Sequence, residues 1–519
     1  MTAALDGTVV AVVGLGPMGR GIARILDAAG ARVLVADVSP EVTAAQLDRA
    51  QAEAAADGAA LAGTVAADLA TAAAQAGVLI EATAEDMAVK RSLLGQLREL
   101  AGPELIVASN TSSLSIGEMG QAFGDPARVV GMHFFNPPTR MRLVEVIVAA
   151  GTSAATAQRA RELAEAVGKT VVTCADSPNF IVNRVCRPLY YEAQLLVTQG
   201  MEPGAVDAAA SGALDHPMGP LTLLDFAGLH THLGSSETAL REFGDPRYRP
   251  IPLVRTLVRA GMTGRAAGRG FYDYATEKPR AAVTRVLRRP GPVRHPVRVT
   301  PAGPAAGRLA AMLPGTVLAQ SGPAESMPAE SMPAESGLTF AGGLPVYRCG
   351  APQDADVRAV RDLAAAGPVV VDSSDGHWTD ALPPGAGWLH LHLTPAGALF
   401  AEVVRDEVAG IAVPDFVGDL LDALAAPSVE VLALPGLVVD RLAHCMANEA
   451  SALVEERIAI APDIDLALQL GMNHARGPFG QLEADGVAAV YASLRSMSEL
   501  TGDPRYRPAQ LLRRQAARR

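Results

Sequence analysis

The chain has 519 residues, more than one hydrophobic core ordinarily supports, so two to four domains are expected and a small binding module is excluded. Apolar residues make up 49% and charged residues 19%, the balance of a globular protein, and a formal charge of −11 argues against a general nucleic-acid binder. No run of about twenty apolar residues offers a bilayer span and the start of the chain lacks a basic leader segment, so a cytoplasmic protein without membrane contacts is expected.

Thr8 to Val13 form a β-branched run, Gly14-Leu15-Gly16-Pro17-Met18-Gly19 a tight turn, and an Ala-rich amphipathic segment continues to Ala29, which reads as strand, turn and helix. Gly30 closes that helix, Arg32 to Ala36 reads as a second strand, and Asp37 stands at its end. Further strands are predicted at Val78 to Glu81, Leu105 to Ala108, Val129 to Met132 and Val144 to Val148, with helical stretches between them. This alternation predicts an α/β, Rossmann-like, doubly wound domain over residues 1–175.

Asp176-Ser177-Pro178 offers a capping side chain followed by a proline near a first helical turn, and it opens an all-α domain over residues 176–277. Residues 278–298, rich in proline and arginine, read as a linker, and a second, degenerate Rossmann-like domain is expected over 299–433. Within it PAESMPAESMPAES, Pro323 to Ser336, marks a loop at 321–337 expected to be disordered. A second all-α domain follows over 434–519.

That partition rests on an internal repeat. The heptapeptide GDPRYRP occurs at Gly244 to Pro250 and again at Gly502 to Pro508, a displacement of 258 residues that also pairs Gly219-Pro220 with Gly477-Pro478 and His216 with His474. A shift of 257 pairs Arg184 with Arg441, Glu192 with Glu449, His133 with His390 and Glu145 with Glu402. The sheet domain is therefore also expected to be duplicated. Its second copy has no intact nucleotide loop, because Ala302-Gly303-Pro304-Ala305-Ala306-Gly307 breaks the glycine spacing, so it is expected to be a structural remnant.

By itself Gly14-x-Gly16-x-x-Gly19 is a weak signal, but here it follows a strand and opens a helix. Backbone N–H groups of Gly14, Gly16, Met18 and Gly19 would then face a pyrophosphate. Asp37, eighteen residues after Gly19, is placed to accept hydrogen bonds from ribose hydroxyls, and its charge would repel a 2′-phosphate, which favours NAD over NADP.

Ser109-Asn110-Thr111-Ser112-Ser113 lies just past a strand, where open α/β sheets bind ligands, though a helix cap would use the same residue types. His133 stands near another strand end, and Glu145 interrupts the apolar run Leu143 to Ile147. A buried carboxylate is costly unless paired, and His133 is its natural partner, together an oriented general base. Cys174, Cys186, Cys349 and Cys445 lack metal-ligand spacing and read as buried apolar residues, and no metal is expected.

Together with Phe180-Ile181-Val182-Asn183-Arg184 and Pro217-Met218-Gly219-Pro220, these blocks resemble the signature segments of L-3-hydroxyacyl-CoA dehydrogenases over about residues 6–275. The duplicated length is similar to the long bacterial form, which includes enzymes of phenylacetate and fatty-acid breakdown. The resemblance implies NAD as cofactor, an acyl-CoA thioester as partner, catalytic roles for Ser112, His133, Glu145 and Asn183, and cofactor contacts from Glu85, Lys90, Asn110 and Asn136. It also implies that the second helical domain can replace the partner of single-copy relatives, leaving monomer and homodimer both open.

Three departures stand out: Asn179 where the family has glycine, Ala266-Ala267 where it has Lys-Thr, and Asp440 at the place of Asn183 in the second copy. The last would sit badly beside a thioester oxygen. Two rival readings remain at this stage: a dehydrogenase of small hydroxy acids or sugar acids, and a non-catalytic NAD-binding structural protein.

Overall fold

A computed structural model of the chain describes residues 4–275, 298–300, 317–318, 345–348, 352, 354–424 and 426–518. Most of the Pro/Arg-rich linker, the stretch Ala302 to Gly307, Cys349 and the loop 321–337 lie outside the described residues.

Eight strands form the first sheet: β1 (Val9–Val13), β2 (Arg32–Ala36), β3 (Thr64–Ala66), β4 (Val78–Glu81), β5 (Ile106–Ser109), β6 (Val129–Phe134), β7 (Leu143–Val148) and β8 (Thr170–Ala175). Their order is β3-β2-β1-β4-β5-β6-β7-β8, parallel throughout except for the antiparallel pair β6/β7. Helices α1 (Pro17–Ala28), α2 (Pro40–Ala56), α3 (Leu69–Gln75), α4 (Met87–Leu100), α5 (Ile116–Phe123) and α6 (Ala154–Ala166) connect these strands. The strands β1, β4 and β5 are nearly continuous apolar runs because both sheet faces are covered, and Val10, Val12, Ile22, Leu26, Val33, Val35 and Ile80 share one core.

The chain reverses from β6 to β7, and this antiparallel register sets His133 directly opposite Glu145. Cross-strand partners share a sheet face, so the two side chains meet without help from any loop.

The next helix, α7 (Val182–Thr198), starts later than the Asp176-Ser177-Pro178 signal predicts. Asn179 and Phe180 take left-handed conformations, φ 64° and 51°, which break the helical path after Pro178. Asp176 instead accepts hydrogen bonds from Ser115 Oγ and Gly117 N at the start of α5. The first turn of α7 is satisfied by Glu145, whose Oε1 accepts from Val182 N at 2.9 Å and Ile181 N at 3.2 Å.

The chain divides into two compact units that do not follow chain order: residues 1–184 with 453–473, and 185–452 with 474–519. In the first, the helix Ala461–Gly471 packs on β7 and β8, and Ala175 N donates to Ile458 O at 2.8 Å. Buried Arg184 forms a two-pronged ion pair with Glu456, both contacts at 2.7 Å.

In the second unit, helices α8 (Pro203–Leu214), α9 (Pro220–Ala227), α10 (Leu229–Phe243) and α11 (Pro252–Arg259) follow α7. Helices Val439–Glu455, Pro478–Asp485, Val487–Thr501 and Gln510–Ala516 belong to the later copy. The two copies embrace each other by equivalent contacts. Tyr248 Oη donates to Glu449, and its counterpart Tyr506 Oη to Glu192 at 2.7 Å. His216 and His474, equivalent by the 258-residue shift, stack with ring centroids 3.7 Å apart.

A second sheet belongs to this unit: β9 (Arg298–Thr300), β10 (Val317–Leu318), β11 (Pro345–Arg348), β12 (Val370–Asp372), β13 (Gly387–Leu393), β14 (Leu399–Val404) and β15 (Ser428–Val431), in the order β10-β9-β11-β12-β13-β14-β15. Among the described residues that is the order of the first sheet without a counterpart of β3, including the antiparallel hairpin, β13/β14, in which His390 faces Glu402. The expected duplication of the sheet domain is therefore visible in its topology, and helix α8 packs against β14 and β15.

Candidate active site

The glycine turn is built for close approach. A Cβ at Gly19 would lie 1.8 Å from Gly14 O, and one at Gly14, φ 90°, would lie 2.6 Å from the Ala82 carbonyl, so neither position accepts a side chain. Gly16 is different: a Cβ there meets nothing within 4 Å, and Gly16 caps α1 with no side-chain hydrogen bond, Pro17 following at the first helical position. Gly16 and Pro17 are exposed and no side chain caps the first turn of α1, which fits a pyrophosphate at this helix N-terminus. Asp37 closes the turn from β2, accepting from Leu15 N at 2.7 Å.

Beyond β4 and β5 lies a polar network. Glu81, 1% exposed, takes Lys90 Nζ on both oxygens, at 2.8 and 2.9 Å, and accepts from Ser109 Oγ at 2.6 Å and Thr83 N at 2.7 Å. Burial pushes the Glu81 carboxyl up, but Lys90, Ser109 and Thr83 outweigh it and hold the group below the ordinary carboxylate range. Lys90 is itself 1% exposed, so its ammonium is spent on Glu81 rather than presented at the surface.

Glu85 gathers the serine turn. Its Oε1 accepts from Thr111 Oγ1 and Ser112 N at 2.8 Å, Ser112 Oγ at 3.0 Å and Ser113 Oγ at 3.1 Å. Ser115, not Ser112 or Ser113, caps α5. Asn110 Oδ1 accepts from Phe134 N at 2.9 Å, which ties this turn to β6, while Asn136 is exposed just past that strand.

His133 and Glu145 meet at 2.6 Å, Nδ1 to Oε2, with Glu145 fully buried and His133 7% exposed. The rings of Phe135 and Phe180 flank the imidazole, with centroids 4.6 and 6.1 Å away. Asn183, on the first turn of α7, donates through Nδ2 to Ser112 O at 3.4 Å. Glu145 thus fixes two things at once, the ring of His133 and the helix end that carries Asn183. The structure brings Ser112, His133, Glu145 and Asn183 to one side of the sheet's carboxyl edge, and it adds Glu81, a residue for which the only sequence signal was an acidic end to an apolar strand.

The second copy repeats the frame and changes the contents. Glu402 Oε1 accepts from Val438 N at 2.8 Å and Val439 N at 3.2 Å, as Glu145 does 257 residues earlier. However, its Oε2 is taken by His392 Nε2 at 2.8 Å, while His390 Nδ1 turns to Asp372 Oδ1 at 2.9 Å. Asp440 Oδ2 accepts from Ser374 Oγ at 2.5 Å. Burial opposes a charge on His390, but Asp440 and Asp372 overcome it and push the group up to about 10.

A dinucleotide-type glycine turn and, at the same sheet edge, a histidine paired with a buried carboxylate fit the class of nicotinamide-dependent dehydrogenases. Residues 9–177 match the family described as 3-hydroxyacyl-CoA dehydrogenase, NAD binding domain, and residues 180–274 and 436–518 match its C-terminal domain. The chain is 42% identical over 277 residues to a probable 3-hydroxybutyryl-CoA dehydrogenase of Bacillus subtilis, covering 51% of this chain and 96% of that protein. It is 28% identical over 522 residues to the 3-hydroxyadipyl-CoA dehydrogenase of Escherichia coli K12, covering 98% and 97%. Among solved structures, one titled 3-hydroxybutyryl-CoA dehydrogenase from E. coli K12 superposes with a TM-score of 0.76 at 26% identity over 99% of both chains.

The chain belongs to the 3-hydroxyacyl-CoA dehydrogenase family, NAD-dependent oxidoreductases, and has the family's helical domain twice. Among the described residues, no helix is long and apolar enough to cross a membrane.

Proposed function

We propose that the chain reversibly oxidises (3S)-3-hydroxyacyl-CoA thioesters to 3-oxoacyl-CoA in its first copy, with His133 as the general base. The 2.6 Å contact between His133 Nδ1 and Glu145 carries this reading. It commits one ring nitrogen to a buried carboxylate and leaves Nε2 to take the proton of a substrate hydroxyl. Glu145 then stabilises the imidazolium without moving.

Ser112 and Asn183 position the reacting oxygen and the thioester carbonyl. Ser112 Oγ donates to Glu85 at 3.0 Å, and to hold a substrate oxygen it would turn away from that carboxylate. When bound, NAD⁺ supplies the hydride acceptor. Gly14, Gly16, Met18 and Gly19 would hold its pyrophosphate, Asp37 its adenosine ribose in preference to a 2′-phosphate, and Asn110 and Asn136 line the edge toward the nicotinamide. Glu85 and Lys90 support these groups from behind through Ser112 and Glu81.

A steady-state screen of 3-ketoacyl-CoA thioesters of graded length, one of them carboxyl-terminated, with NADH and NADPH side by side, tests the proposal. Reduction of CoA thioesters with NADH is the expected result. Turnover of free hydroxy acids alone, or a preference for NADPH, would overturn it.

A further inference from the structure

We propose that the second copy binds a divalent transition-metal ion through His390 Nε2, His392 Nδ1 and the carboxylate of Asp440. Ligand atoms of these three residues lie within 4.8 Å of one another. His390 Nε2 is 3.4 Å from Asp440 Oδ2, and His392 Nδ1 is 3.9 Å from Asp440 Oδ1. A tetrahedral ion with bonds of about 2.0–2.1 Å holds its ligands about 3.3 Å apart, so the 3.4 Å pair already matches a coordination shell and the other pairs, all within 4.8 Å, close toward it when an ion enters.

The surrounding shell favours the same reading. Asp372 engages His390 Nδ1 at 2.9 Å and Glu402 engages His392 Nε2 at 2.8 Å, so each imidazole is held by a carboxylate through one nitrogen and turns the other toward Asp440. A metal-ligating histidine ordinarily has its second nitrogen fixed in this way. Asp372 and Glu402 are 1% and 0% exposed, so the carboxylates that orient the two imidazoles are themselves held in the interior.

An independent observation points to the same place. His444, 3% exposed, directs Nε2 to within 3.8 Å of Asp440 Oδ1 and 3.6 Å of Asp485 Oδ2, and this buried nitrogen makes no hydrogen bond. It can complete the shell, or a water can. Comparison of the two copies sharpens the point: at a shift of 257, Phe135 and Asn183 of the first copy, together with Arg187 on the same helix as Asn183, are replaced by His392, Asp440 and His444. Loss of function alone does not require three changes that each introduce a metal-ligand type at one spot. Two imidazoles and a carboxylate suit Zn²⁺ better than Mg²⁺ or Ca²⁺. The ion would tie β13 to the helix Val439–Glu455 and so brace this part of the second sheet.

The test uses the full chain, stripped with a chelator, given excess Zn²⁺, desalted and examined by elemental analysis. About one Zn²⁺ per chain is expected, retained in His133→Ala. Asp440→Asn and His392→Phe should bind Zn²⁺ about 100-fold more weakly or lose it. Equal retention in wild type and both variants, loss in His133→Ala, or no retention by wild type overturns the proposal. If either variant misfolds by circular dichroism, Co²⁺ added to wild type decides the matter. An intense visible band of tetrahedral N/O coordination supports the site, and its absence refutes it.

Discussion

Glu145→Gln separates the support given by Glu145 to the fold from its control of the imidazole. The carboxylate is fully buried, with Oε1 accepting from Ile181 N and Val182 N and Oε2 facing His133 Nδ1. A glutamine has the same shape, and its carbonyl oxygen can keep the two backbone bonds, whose loss would cost about 1–3 kcal/mol per orphaned donor. Its NH₂ group then points at Nδ1 as a donor. His133 must accept there, so its proton moves to Nε2 and no lone pair remains for the substrate hydroxyl. General-base assistance is worth roughly 10²–10⁴ in rate, about 3–5 kcal/mol of barrier, and a carboxylate-to-amide change behind a catalytic histidine reaches the upper end in a well-known hydrolase triad. The expected outcome is kcat lower by about 10³ in NADH-coupled reduction of acetoacetyl-CoA, with NADH affinity and thermal stability near wild type. A kcat within about threefold of wild type, in a folded variant, would refute the tautomer argument and with it the role of Glu145.

Lys90→Met should leave Glu81 buried without its counter-charge and destabilise the chain by about 3–5 kcal/mol in chemical denaturation, with Lys90→Met/Glu81→Leu recovering most of the loss. Because the folded Glu81 carboxyl is held below its unfolded value of about 4.3, its contribution is present above that pH and fades as pH falls through the folded value; acid titration of unfolding should show this limb, and the double variant should lack it. Buried and stacked, His216 is depressed to about 4 and His474 also falls well below the usual imidazole range, both chiefly through burial. The unfolded chain therefore binds the extra protons between about pH 6.5 and 4, so stability should fall across that window by about 3 kcal/mol for His216 alone, and His216→Phe should flatten the slope. Asp37→Ala should weaken NAD⁺ binding roughly 10- to 100-fold and relax discrimination against NADP⁺, measured by fluorescence titration of the reduced forms.

The parts of the fold legible in the sequence are those whose pattern has a single physical solution. A β-branched run into three spaced glycines and a helix reads as β1, turn and α1, and a glutamate inside Leu143 to Ile147 must find a buried partner. The short edge strand Thr64–Ala66 and the half-buried Thr170–Ala175 gave no comparable signal, because three residues or an interrupted alternation do not establish a period. Asp176 was misleading: a cap signal is local, whereas the start of α7 is decided by two left-handed residues and a glutamate from a neighbouring strand. The tasks of Glu85 and Lys90 were also hidden, since charge-bearing residues on a loop and a helix read alike whether they meet a ligand or another side chain. His390, His392 and Asp440 come from one strand and one distant helix, so no spacing rule for metal ligands could join them.

The embrace of the two helical copies has a consequence for how this protein behaves at low abundance. Tyr248 with Glu449, Tyr506 with Glu192 and the His216–His474 stack join segments of one polypeptide, so their local concentration is set by the covalent connection rather than by the number of molecules present. Dilution cannot pull these helices apart, and the stability of the pair is a first-order property of each molecule. Tethering also frees the halves from having to be identical, and they differ: the first copy has Asn183 and Phe135 where the second has Asp440 and His392.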